Sequence, residues 1–126
     1  MSSNSPVVLL VDDDEICRDV IQAYLQGSGF TVIAVASARA ASGVLQRTAV
    51  NAVVSDFEMP ETNGLEFAAV VERNYPHLPF FIMSGIDCPS GVDHPVCLVG
   101  WISKSSPATL REELLHHLAK RPATQK

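Results

Sequence analysis

The sequence predicts an α/β fold in which five parallel strands form one doubly wound sheet. Short apolar runs alternate with segments whose apolar residues recur at helical spacing, and the links between them are short except for one before the last strand. The runs are apolar at successive positions, which is typical of strands buried on both faces. A chain of 126 residues, 47% of them hydrophobic, has enough apolar content for one packed core.

The predicted strands share β-branched or aromatic residues and end at polar or glycine positions. In chain order they are Val7–Val11, Thr31–Ala36, the run Ala52–Val54 that ends at Asp56, Phe80–Met83 and Leu98–Ser103.

Four helices are predicted from apolar periodicity and from their start and stop residues. Asp14 and Glu15 suit the positive end of the first helix dipole, and Gly27 or Gly29 ends that helix. Ser37 begins a helix that runs to about Thr48, Asn63-Gly64 precedes one that ends at Tyr75-Pro76, and Ser106-Pro107 opens the last. The residues expected to face the core are Ile16, Val20, Ile21, Tyr24, Leu25, Ala41, Val44, Leu45, Leu65, Phe67, Ala68, Val70, Val71, Leu110, Leu114 and Leu118.

The long link before the last strand is predicted not to be a regular helix. The segment from Asp87 to Val96 contains Pro89, Gly91 and Pro95. A proline inside a helix costs about 3 kcal/mol and a glycine about 1 kcal/mol, more than so short a helix recovers from propensity. We expect a loop or at most one turn.

Composition and charge exclude several classes of function. The net charge is −5 without a basic block, which argues against direct nucleic-acid binding, and no apolar stretch is long enough to insert in a membrane. No secretory leader opens the chain, so we expect a soluble, cytoplasmic protein.

The three cysteines, Cys17, Cys88 and Cys97, lack zinc-site spacing and are expected to serve ordinary packing in a reducing compartment. The histidines, at positions 77, 94, 116 and 117, are expected to be surface or partly packed residues.

Polar residues follow the predicted strands at the same edge of the sheet. Asp12 and Asp13 end the first strand, Asp56 the third, Ser84 the fourth and Lys104 the fifth. Three carboxylates that converge repel one another unless a cation joins them, and all-oxygen ligands suit Mg²⁺. A lysine and a hydroxyl beside them suit an incoming phosphoryl group, on which Asp56 can act as a nucleophile.

At these residues the chain resembles the receiver domains of two-component response regulators, the CheY-like family, from Pro6 to Lys120. The resemblance implies that Asp56 is the phosphoacceptor and that Asp12 and Asp13 bind Mg²⁺ together with the backbone carbonyl of Glu58. It implies a flavodoxin-like sheet with strand order 2-1-3-4-5. It also implies a histidine kinase or histidine phosphotransfer protein as phosphoryl donor, and no enzymatic activity beyond self-phosphorylation and autodephosphorylation.

The same resemblance assigns the switch between the two states of the domain. Ser84 is the hydroxyl that closes on the phosphoryl group, Lys104 pairs with that group, and Trp101 is the aromatic switch residue. The family usually has a proline after the lysine, often with a cis peptide, whereas Ser105 follows Lys104 here. A cis bond before serine would cost roughly 3 kcal/mol, so this loop is expected to differ or to retain strain.

Two other functions remain open from the sequence. An aspartate-nucleophile phosphohydrolase also uses a strand-end aspartate with an acid two positions later, but this chain has no spare length for a cap that excludes water. A phosphorylation-independent adaptor is the other. The expected organisation is a disordered N-terminus at 1–5, a receiver domain at 6–120 and a flexible tail at 121–126. With no effector in 126 residues, we expect an adaptor, a shuttle or a segment of a hybrid kinase that signals to a downstream protein through a changed surface.

Overall fold

The computed structural model describes residues 5–91 and 94–119. These ranges contain five strands and four helices. The elements are β1 Val7–Val11, α1 Glu15–Gly27, β2 Thr31–Val35, α2 Ala38–Arg47, β3 Ala52–Asp56, α3 Gly64–Asn74, β4 Phe80–Ser84, β5 Leu98–Ser103 and α4 Pro107–Ala119. All neighbouring strands pair in parallel in the order β2-β1-β3-β4-β5. The predicted fold class and strand order are confirmed.

The sheet separates two apolar layers. On one face α1 and α4 pack through Ile21, Leu25, Leu110 and Leu114. On the other face α2 and α3 form a second layer, to which the two helices contribute Ala41, Val44, Leu45, Phe67, Ala68 and Val71. Every residue of β3 and β4 is buried, because helices cover both faces of these central strands.

Three residues predicted to face the core are instead exposed. Ile16 and Val20 on α1 are 75% and 58% exposed, and Val70 on α3 is 38% exposed. An α-helix turns about 100° per residue, so Val20 lies a quarter-turn away from buried Ile21, and Val70 lies the same angle from buried Val71. The apolar character of these residues correctly indicated a helix, but it did not show how many positions around the helix are buried.

The segment between β4 and β5 contains no helix in its described residues. From Asp87 to Gly91 and from His94 to Val96 the backbone forms only turns and irregular structure, and Gly91 has a φ of 75°. The prediction that Asp87 to Val96 is not a regular helix is confirmed for those residues. The described part of the chain therefore has four helices, and none of them lies between β4 and β5.

Several terminal predictions lie outside the described residues. Residues 1–4 and 120–126 include most of the expected disordered N-terminus and all of the expected tail. In the part of the chain that is described, no peptide bond is cis, so the Lys104-Ser105 bond is trans. Within the same ranges no helix has the length and apolar character needed to cross a membrane.

Candidate functional site

The carboxyl ends of the parallel strands bring the predicted polar residues together. Asp56 is the last residue of β3 and Ser84 the last of β4, while Asp12 and Lys104 come directly after β1 and β5. Backbone bonds hold the residues just beyond the strands in register: the Lys104 amide donates to the Ser84 carbonyl at 3.0 Å, and the Asp12 amide to the Val35 carbonyl at 3.1 Å. The rigid sheet, rather than a mobile loop, thus positions these side chains.

Three carboxylates form the centre of the site. One carboxylate oxygen from each of Asp12, Asp13 and Asp56 lies within 4.8 Å of the other two. Asp12 and Asp56 are only 4% and 6% exposed, whereas Asp13 is exposed to solvent. Lys104 is the partner of this cluster: its Nζ lies 3.0 Å from Asp56 Oδ1 and 3.9 Å from Asp12 Oδ2. One ammonium group therefore faces two buried carboxylates.

The pKa values of Asp12 and Lys104 are both raised in this site. Burial, together with the negative charges of Asp56 and Asp13, raises the pKa of Asp12 from 3.8 to about 6, although the amide of Asp14 and the charge of Lys104 oppose the change. Burial disfavours the charged form of Lys104, but its hydrogen bond to Asp56 and the charges of both buried aspartates outweigh burial, so the pKa of Lys104 is raised. Burial is the main cause of the raised Asp12 pKa, whereas the raised pKa of Lys104 reflects the negative charge of the two buried aspartates around it.

The turn between β1 and α1 is fixed by the acidic run itself. The Asp14 amide donates to Asp12 Oδ1 at 2.9 Å, and the Asp14 side chain caps α1 by accepting from the amides of Ile16 and Cys17. These backbone bonds lower the pKa of the Asp14 carboxyl. The predicted role of Asp14 as a helix-start residue is confirmed.

Arg18 is a neighbour of the site that the sequence analysis missed. Its Nη1 donates to the Asp12 carbonyl oxygen at 2.8 Å, which ties the first turn of α1 to the end of β1. No short motif links the two residues. A side chain one turn after the N-cap of a helix points back toward the loop before the helix. This rule could have identified Arg18 as a neighbour of the site.

A glycine allows α3 to begin directly against β3. A Cβ atom on Gly64 would lie 2.8 Å from the Asp56 carbonyl oxygen and 3.1 Å from Phe57 Cα, which is backbone that cannot move aside. The Gly64 amide donates to the Phe57 carbonyl at 2.7 Å, and Asn63 and Glu66 form a capping box at the helix start. Glu58 lies exposed in this loop, two residues after Asp56, and the role of its carbonyl stays a prediction.

Ser84 and Trp101 are joined through one residue of the loop after β4. Ser84 is 3% exposed, and its Oγ accepts from the Ile86 amide at 3.0 Å. The Ile86 carbonyl in turn accepts from Trp101 Nε1 at 2.9 Å. The Trp101 ring packs against Phe57 with a centroid distance of 5.1 Å. The two predicted switch residues are thus both hydrogen-bonded to the backbone of one residue, Ile86.

An open cavity of about 140 Å³ adjoins the carboxylates. Asp12, Asp56 and Lys104 line its polar end. Its remaining walls are largely apolar and include Ile16 and Val20, two of the residues found exposed on α1. The site is therefore a small acidic depression bordered by apolar surface.

Comparison with known proteins identifies the family. The family model described as the response regulator receiver domain matches residues 8–93, and the chain therefore belongs to this family of two-component regulatory systems. The response regulator protein FleR of Pseudomonas aeruginosa is 40% identical over 77 residues, which are 61% of this chain and 16% of FleR. The autoinducer 1 sensor kinase/phosphatase LuxN of Vibrio harveyi is 29% identical over 85 residues, or 68% of this chain and 10% of LuxN.

Solved structures show the same architecture. The chemotaxis response regulator CheY4 of Vibrio cholerae superimposes with a TM-score of 0.76 at 27% identity, covering 90% of this chain and 98% of that one. The response regulator protein TrrA from Thermotoga maritima, in complex with Mg(2+)-BeF, has a TM-score of 0.80 at 19% identity, with 90% and 98% covered. The curated relatives are much longer than the part they share: the chain spans less than a fifth of FleR and of LuxN.

Proposed function

We propose that Asp56 accepts a phosphoryl group from a phosphohistidine on a histidine kinase or a phosphotransfer protein. The observation that carries the proposal is the pairing of buried Asp56 with Lys104 at 3.0 Å inside a cluster of three carboxylates. A buried carboxylate held beside one cation, at the mouth of a depression, is placed for reaction rather than for packing.

The proposed chemistry uses one oxygen of Asp56 as the nucleophile. That oxygen forms a bond to phosphorus while the bond from phosphorus to the histidine nitrogen breaks, and the imidazole keeps the electron pair. Lys104 holds Asp56 in place beforehand and is near enough to pair with a phosphoryl oxygen afterwards. Ser84, buried at the end of the neighbouring strand, supplies a hydroxyl that can donate to the same group.

The donor set fits a magnesium ion. Asp12, Asp13 and Asp56 offer only oxygen ligands, and the pKa of Asp12 near 6 reflects burial of a carboxylate together with like charges, a cost that a cation would relieve. When bound there, Mg²⁺ would neutralise charge on the transferring group. Asp12 and Asp13 would hold it together with Asp56 and, by the family resemblance, the carbonyl of Glu58.

The proposed output is a changed protein-binding surface. If Ser84 turns toward a phosphoryl group on Asp56, its bond to the Ile86 amide is strained or lost, and Ile86 is the residue that holds Trp101. Phosphorylation would then alter the surface around Trp101 and the loop after β4, which a downstream protein reads. We place this receiver domain at residues 6–120 of a cytoplasmic protein, where it acts as a phosphoacceptor rather than an enzyme.

Phosphorylation with a small-molecule donor tests the proposal. Incubation with acetyl phosphate and Mg²⁺ should add the mass of one phosphoryl group, measured on the intact protein. Asp56→Asn should abolish the addition, Asp13→Ala should weaken Mg²⁺ binding, and Asp19→Asn on the exposed face of α1 should leave both unchanged. Equal labelling of the Asp56→Asn protein would disprove the assignment. Absence of labelling in the parent, with normal folding, would favour the phosphorylation-independent adaptor instead.

A further inference from the structure

The loop between β4 and β5 holds a thiol and an imidazole in contact, away from the carboxylate site. Cys88 Sγ lies 3.3 Å from His94 Nε2. From the sequence, Cys88 is expected to serve ordinary packing and His94 to be a surface or partly packed residue, and their spacing of six residues does not suggest a pair. In the described residues of this loop the backbone is irregular, Gly91 has a φ of 75°, and the two side chains meet.

The geometry distinguishes this contact from ordinary packing of a thiol. The Cys88 thiol can also donate to the Pro89 carbonyl, but that distance is 3.8 Å, so the imidazole nitrogen is the nearer polar partner. Cys88 is half-buried and His94 is exposed, which leaves the sulfur open to a small reagent from solvent. A thiol beside a base and accessible to solvent is the arrangement of a reactive cysteine.

We propose that Cys88 is a nucleophilic thiol, activated by His94, and that it is a site of modification by peroxides and soft electrophiles. With hydrogen peroxide as the oxidant, His94 Nε2 takes the thiol proton and the sulfur attacks one peroxide oxygen. The bond between the two oxygens breaks, and the departing hydroxide takes the proton from the imidazolium to form water. Sulfur is oxidised by two electrons to a sulfenic acid, and the peroxide is reduced.

The other two cysteines differ in ways that make them internal controls. Cys97 is 4% exposed, and burial together with Glu72 raises its pKa to about 11. Burial also raises the pKa of Cys17, with the carboxylates of Asp14 and Asp12 adding to the effect. In both cases the thiolate, which is the reactive form, is disfavoured.

The position of Cys88 gives the modification a consequence beyond the thiol itself. Cys88 lies two residues after Ile86, whose amide and carbonyl bind Ser84 and Trp101. Oxidation replaces the thiol proton and adds an oxygen, so the contact with His94 cannot persist unchanged. The loop that joins the two proposed switch residues would then also respond to oxidants, although the reactivity of Cys88 does not depend on phosphorylation of Asp56.

Competitive labelling of the full chain tests the proposal. In a short pulse of iodoacetamide at neutral pH, followed by peptide mass spectrometry, Cys88 should be alkylated at least about tenfold faster than Cys17 or Cys97. His94→Ala should slow labelling of Cys88 about fivefold or more, while the rates of the other two thiols stay the same. His116→Ala, which removes an exposed imidazole on α4, is the matched control and should change nothing.

Two outcomes of the labelling would overturn the inference, and one outcome of peroxide treatment would do the same. One is a Cys88 rate in the parent protein that does not exceed that of Cys17, a comparison that needs no variant and so does not depend on how any variant folds. The other is an unchanged Cys88 rate in His94→Ala. Treatment with hydrogen peroxide in the presence of dimedone should trap a sulfenic acid at Cys88 first, and preferential trapping at Cys17 would likewise disprove the assignment.

Discussion

Replacing Asp12 by asparagine should stabilise the metal-free protein at neutral pH. Asp12 is 4% exposed and its pKa is about 6, raised first by burial, against 3.8 when unperturbed. A carboxyl group with a raised pKa in the folded state contributes stability that is fully present below 3.8 and is lost as the pH rises through about 6. At pH 7.5 the folded protein therefore carries the full cost of ionising Asp12, and the asparagine variant does not.

The magnitude follows from the displacement of the pKa. A change of about two units corresponds to about 3 kcal/mol, and this is an upper bound because Asn still buries a polar amide group in place of the carboxyl group. We expect Asp12→Asn to raise the free energy of unfolding by about 1 to 2 kcal/mol at pH 7.5. Near pH 4.5 much of Asp12 is already protonated in the folded state, so the gain should shrink to less than about 0.5 kcal/mol.

Urea unfolding in the presence of a chelator, at both pH values, measures the effect. Asp19→Asn removes an exposed carboxylate on α1, the helix that follows Asp12, and is the control. It should change the free energy of unfolding by less than about 0.5 kcal/mol. Adding Mg²⁺ should narrow the difference between parent and variant at pH 7.5, since a bound cation neutralises Asp12. A variant that is less stable than the parent at pH 7.5, or equally stabilised at both values, would refute the reasoning.

Three other tests, each using one substitution or a matched pair, concern the packing and the switch. Gly64→Ala forces a Cβ to within 2.8 Å of the Asp56 carbonyl oxygen, so it should cost about 1 to 3 kcal/mol of stability and slow phosphorylation by acetyl phosphate. Unchanged values for both would show that α3 can shift freely. Trp101→Phe removes the indole donor to the loop after β4, so amide exchange in that loop should rise about fivefold while exchange in β1 stays the same; equal protection would mean the bond does not hold the loop. Leu110→Ala in α4 should cost about 2 to 5 kcal/mol because the side chain is fully buried, whereas Leu115→Ala, 43% exposed on the same helix, should cost less than about 1 kcal/mol, and similar losses would contradict the assigned face.

The amino-acid sequence alone predicts the architecture of this chain and the residues that form its acidic site. Five apolar runs, each ending at a polar residue, predict parallel strands, and parallel strands place those residues at one edge, so Asp12, Asp56, Ser84 and Lys104 could be grouped before any coordinates. Pro89, Gly91 and Pro95 likewise excluded a helix after β4, because the cost of proline and glycine in a helix is local and does not depend on the fold.

Tertiary structure decided the features that depend on distances between segments. The exposure of Ile16 and Val20 depends on how far α1 is rotated over the sheet, and a difference of 100° between neighbouring residues is too fine for apolar periodicity to resolve. The pKa of Asp12 near 6 arises from burial and from charges on other strands. The contact of Cys88 with His94 depends on the path of a loop whose described residues are irregular, so the sequence has no repeating pattern from which that path could be predicted.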